Sequence, residues 1–94
     1  MDYQKVEGGI SERLSKLGLF YVDYNMKMVQ ALIALRAVRK SIIESKDEND
    51  KPVSAVKADV LADATPEATA FAVAQTHVDN INMMIRTLSY PHEN

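Results

Sequence analysis

From Ile10 to Ile42, apolar or aromatic side chains occupy positions 10, 14, 17, 21, 24, 28, 31, 35, 38 and 42, in steps that alternate between 4 and 3. That 3.5-residue repeat belongs to a helix packed along its length against another helix. Ser11 is a candidate N-cap and Glu12 suits the positive end of the dipole. If continuous to Ser45, the helix is ~55 Å long at a rise of 1.5 Å per residue. Residues 45 to 52, SKDENDKP, contain no apolar side chain before the proline and predict a loop. Ser54 then caps a short helix through Ala62, with Val53, Val56 and Val60 on one side. Thr65-Pro66-Glu67 restates a helix start, with a capping threonine, a first-turn proline and an acid at the N-terminus. In the helix that follows, Phe71, Ala74, Val78, Ile81, Ile85 and Leu88 repeat the same spacing. Gln75, Asp79, Asn82, Arg86 and Ser89 make its wet face, and Pro91 ends it near Ser89 or Tyr90. The pattern leaves open whether residues 53–89 form one kinked helix or two.

The expected fold is all-α: an antiparallel helical hairpin with a long first helix, a short middle helix and a closing helix, able to oligomerise. Residues 1–9, ending in Gly8-Gly9, are expected to be a flexible arm, residues 10–90 the single domain and residues 91–94 a tail. The oligomer is inferred from NMKMVQALIALRAVRK, residues 25–40, where the first helix is apolar on nearly every side. Val22, Met26, Val29 and Ile33 form a second stripe in steps of 4, 3 and 4, rotated away from the first. One returning helix does not cover both. Leaving the second stripe wet forfeits roughly 1.5 to 3 kcal/mol for each large side chain. The expected cover is a second copy or a stable protein partner; the competing expectation is that the short middle helix folds back over it.

Composition narrows the function classes. The 94 residues fit one domain, with 47% hydrophobic and 26% charged residues, three glycines and no tryptophan, a balance that excludes disorder and disfavours a sandwich or barrel. The net charge of −2 supplies no overall attraction to nucleic acid or anionic membrane. There is no cysteine, hence no disulfide or thiolate site, which suits a reducing cytoplasm. MDYQKVEGGISERLSK lacks the basic and apolar regions of a signal peptide, and the stretch from Leu17 to Leu35 is interrupted by Asp23, Asn25, Lys27 and Gln30. The expectation is a cytoplasmic protein without a membrane anchor.

No constellation for catalysis is evident. His77 flanks the closing helix's apolar stripe and His92 lies in the tail, neither with a nucleophile or carboxylate at informative spacing, so no enzyme is expected and His77 reads as structural. Asp47-Glu48-Asn49-Asp50 lacks the glycine and terminal glutamate of a calcium loop, and no metal or cofactor is expected. Met26 and Met83 fall off the first-helix and closing-helix stripes, where an adaptable thioether can serve an interface. Arg36, Arg39, Lys40 and Lys46 gather toward the end of the first helix. They offset its dipole or, in an oligomer, form a rim for weak contact with the phosphates of single-stranded DNA.

The Lys-Pro-Val-Ser turn, SAVKADVLADATPE and the amphipathic closing helix together resemble, over residues 10–89, small helical proteins of tailed phages. More distantly they are similar to phage recombination mediators, oligomeric helical proteins that help load a recombinase onto coated single-stranded DNA. That resemblance implies an accessory or adaptor role in DNA recombination. LIALRAVR at 32–39 followed by KPVSAVKADV at 51–60 is also similar to the omega subunit of bacterial RNA polymerase. A small inhibitor of a host or defence protein fits the same compact, mildly acidic, helical pattern.

Overall fold

The computed structural model describes residues 2–45, 51 and 53–89. A 3-10 turn, Tyr3–Lys5, precedes three helices: α1 (Ile10–Glu44), α2 (Ala55–Asp63) and α3 (Pro66–Ser89). α1 and α3 run antiparallel. Arg13 shares a groove with Leu88, the Tyr24 ring lies 4.9 Å from that of His77, and Ala31 lines a groove with Ala70. The molecule is a rod of 62 × 28 × 15 Å, as expected of a hairpin whose first helix is longer than its return. The first-helix stripe and the α3 stripe meet along its length, with Leu17, Ala74, Val78 and Ile81 buried.

Residues 53–89 form two helices. Ser54 caps α2, its hydroxyl accepting from the Lys57 amide at 3.2 Å. Thr65 serves both sides of the break: its hydroxyl donates to the Ala62 carbonyl at 2.6 Å and accepts from the Ala68 amide at 3.3 Å. One side chain thus closes α2 and opens α3, and Pro66 at the first helical position needs no amide partner.

Three details differ from the expectation. α1 begins at Ile10 with Gly9 as its N-cap, so Ser11 lies inside the first turn. α2 turns Ala58 and Ala62 inward and leaves Val56 and Val60 exposed; of the three valines, only Val53 is buried. Small side chains let the α2 backbone approach α1 closely, and Val53 precedes the helix and so does not share its phase. Residues 2–6, within the segment expected to be an arm, are docked. Asp2 caps the 3-10 turn by accepting from the Gln4 amide at 2.9 Å. Tyr3, 2% exposed, forms the core with Leu17 and Ile81, surrounded by Val6, Phe20, Tyr24, Met84, Ile85 and Leu88. Gly8 makes this return path possible: its φ of 115° is open to glycine, and a Cβ there would collide with the Glu12 carboxyl group. Lys16 then donates to the Glu7 carbonyl at 3.3 Å, holding the returning segment against α1.

Candidate association surface

The 3.6-residue turn of α1 sends its two apolar stripes to nearly opposite sides. The first packs against α3, α2 and the N-terminal segment, with Ile10 and Tyr21 at its edge still exposed. On the second, Val22 is 57% exposed, Met26 57%, Val29 44% and Ile33 62%. α2 docks elsewhere: Arg39 Nε donates to Asp59 Oδ1 at 2.5 Å, tying α2 to another face of α1. The middle helix therefore does not provide the cover that the competing expectation required.

The structure adds Leu19, 74% exposed, to the four residues read from the sequence. The signal for it was present, because Leu19 stands three residues before Val22 and extends the alternation. The stripe Leu19, Val22, Met26, Val29, Ile33 spans ~21 Å along the axis at 1.5 Å per residue. Its exposed side chains present roughly 500 Å² of mostly apolar surface, at the upper end of what a typical monomer shows in one patch. Asp23 and Lys27 flank it as an i,i+4 ion pair at 3.2 Å, and Lys27 Nζ also lies 4.8 Å from the centre of the Tyr24 ring. Lys27 therefore borders the stripe while its charge turns toward the hairpin seam.

Beyond Ile33 the same alternation continues through Arg36, Lys40 and Ile43. Arg36, Arg39 and Lys40 line one surface groove of about 370 Å³ together with Ile43 and Glu44. Two of these cations are already matched, Arg39 by Asp59 and Lys40 by Glu44 at 4.0 Å. Arg36 has no ionic partner among the described residues. Lys46 lies outside the described residues, as do His92 and the acidic run 47–50. Exposed ion pairs of this kind are each worth about 0–1 kcal/mol, so they reduce the local field without fixing the side chains firmly.

His77 is part of the fold's internal wiring. The Tyr3 hydroxyl lies 2.8 Å from His77 Nδ1 and accepts from Asn80 Nδ2 at 3.5 Å. With the imidazole proton on Nε2, the Tyr3 hydroxyl donates to Nδ1 while accepting from Asn80, so both of its roles are used. The rings of Phe20, Tyr24 and His77 meet Tyr3 edge-on at 6.3, 5.5 and 5.6 Å. This cluster ties α1, α3 and the 3-10 turn together. Of the two off-stripe methionines, Met26 joins the outward stripe, and Met83 lines a groove of about 290 Å³ with Val6, Arg13, Leu17 and Leu88. Among the described residues, Arg13 Nε finds no hydrogen-bond partner there and no second charged group lines the groove.

The chain matches no protein-family model, no curated protein and no solved structure. Among the described residues, no helix is long and apolar enough to cross a membrane, and no three histidine, cysteine or acidic side chains are grouped to hold a metal ion.

Proposed function

We propose that this chain is a non-enzymatic helical accessory or adaptor protein that works as an assembly of identical subunits joined through the outward stripe of α1. The observation that carries the reading is the continuous exposure of Leu19, Val22, Met26, Val29 and Ile33 on a helix whose other face is already packed. Covering the remaining exposed half of each side chain contributes on the order of 1 kcal/mol per residue per copy. Summed over two copies, this is about 10 kcal/mol, of the same size as the entropic cost of association of about 4–15 kcal/mol. Replacing Val29 and Ile33 together by glutamate places charges that are costly to bury unpaired in the contact. Both positions are exposed, so the hairpin retains its helical circular dichroism while light scattering reports a smaller particle than the wild type. An unchanged particle mass rejects the stripe as the contact.

A second reading is favoured by the shared groove of Arg36, Arg39 and Lys40. In an assembly, this groove is repeated once per subunit, and single-stranded DNA bridging several copies gains avidity without any base contact. That behaviour suits a recombination-mediator-like accessory protein. Fluorescence anisotropy with a labelled oligonucleotide of mixed sequence tests it. Weak, salt-sensitive binding supports the reading, and no binding at low salt removes it.

A further inference from the structure

We infer that the partner covering the stripe is a second copy of this chain lying antiparallel, with Val22 of each copy opposite Ile33 of the other and Met26 beside Val29. This inference rests on the association reading above and gives it a geometry. The spacing supplies the first argument. Leu19, Met26, Ile33 and Lys40 occupy one position of a heptad, and Val22, Val29, Arg36 and Ile43 occupy the other apolar position. In an antiparallel pair these two classes face each other. The register that sets four of the five stripe residues against one another and the fifth, Leu19, against the long aliphatic stem of Arg36 places Val22 opposite Ile33 and Met26 beside Val29, with the two-fold axis passing between residues 27 and 28.

Charge supplies the second argument. The stripe is asymmetric: its C-terminal continuation is Arg36 and Lys40, whereas the N-terminal one is Ser15 and Glu12. A parallel pair stacks Arg36 on Arg36 and Lys40 on Lys40, a like-charge arrangement that is destabilising. In the antiparallel pair the aliphatic stem of Arg36 covers Leu19 of the second copy, its guanidinium remains in water, and Lys40 comes to Ser15, one turn from Glu12. Among the described residues Arg36 has no ionic partner within its own chain, which suits it to that position. Area supplies the third. The roughly 500 Å² of the stripe, widened by Arg36, Lys40, Ser15 and Glu12, approaches the ~800 Å² per partner of a standard stable interface.

The absence of cysteine from the chain makes the test clean. Val22→Cys and Ile33→Cys are prepared separately, mixed in equal amounts under reducing conditions and then oxidised, and the disulfide-linked products are distinguished by intact mass. The antiparallel pair yields the Val22→Cys/Ile33→Cys heterodisulfide in large excess over both homodisulfides, and each variant alone cross-links poorly. Random collision instead yields the two homodisulfides together in the same amount as the heterodisulfide, and that ratio overturns the inference. Efficient homodisulfide formation by each variant alone indicates a parallel pair and overturns it too. A dimeric mass by light scattering with no cross-link in any sample moves the contact away from this register and likewise overturns it, leaving association itself intact. A monomeric mass for both variants and the wild type overturns the association reading underneath.

Discussion

Replacing Tyr3 by alanine removes the largest side chain that joins the N-terminal segment to the hairpin. Tyr3 is 2% exposed and contacts the core formed by Leu17 and Ile81, so its loss belongs to the class of aromatic core deletions that cost about 3–5 kcal/mol. The segment lies at a chain end and can undock locally, which caps the cost at what docking contributes and places the expected loss at the lower bound, about 3 kcal/mol. For a domain of this size, 1 kcal/mol shifts Tm by about 4–8 °C, so Tyr3→Ala lowers it by roughly 12–24 °C. Tyr3→Phe keeps the ring and deletes only the hydroxyl between His77 and Asn80, which costs about 1 kcal/mol, or about 4–8 °C. The assay is thermal unfolding followed by circular dichroism, with every variant at one protein concentration, because Tm depends on concentration in any protein that self-associates. Equal Tm values for Tyr3→Ala and the wild type would refute the docking of residues 2–6, and equal losses for both variants would show that the ring contributes nothing beyond its hydroxyl.

Gly18→Ala is expected to raise stability by about 0.5–1 kcal/mol, measured by urea unfolding, since Gly18 is inside α1 and an added Cβ meets nothing within 4 Å. Ala58→Leu is expected to lower it by about 1–3 kcal/mol in the same assay, because Ala58 is fully buried between α2 and the hairpin and the larger side chain has no room. If the basic groove contacts single-stranded DNA, the log-log salt slope is about −0.7 for each phosphate neutralised. Arg36→Gln, which removes a cation that has no ionic partner among the described residues, then weakens binding and flattens the slope by about that amount, whereas Lys57→Gln on α2 leaves both unchanged.

The two helices of the hairpin were legible because their apolar residues keep one 3.5-residue phase over many turns, a signal that survives local exceptions such as Gly18. Thr65-Pro66-Glu67 was legible as well, since its capping chemistry is complete within three residues. Tyr3 was not. A single aromatic among polar neighbours has no period, and its partner His77 is 74 residues away in the chain. The inward face of α2 was misread because hydrophobicity favours Val56 and Val60 for burial, whereas close helix packing favours the smaller Ala58 and Ala62. The Ser11 cap failed for a local reason: the extended Gly9 takes the N-cap position, its carbonyl accepting from the Arg13 amide at 2.9 Å, so the helix starts at Ile10. The pairing of Arg39 with Asp59 depends on where α2 docks, which no spacing along the chain encodes. The outward stripe was legible from Val22 to Ile33, and Leu19 extends it in the same phase.

The central claim is that the outward stripe of α1 is covered by another copy. Sedimentation velocity of the wild-type protein across the micromolar range measures this directly. A stripe that associates gives a particle at a whole-number multiple of the 10.5 kDa chain, shifting toward one chain on dilution. A single 10.5 kDa species at every concentration contradicts it.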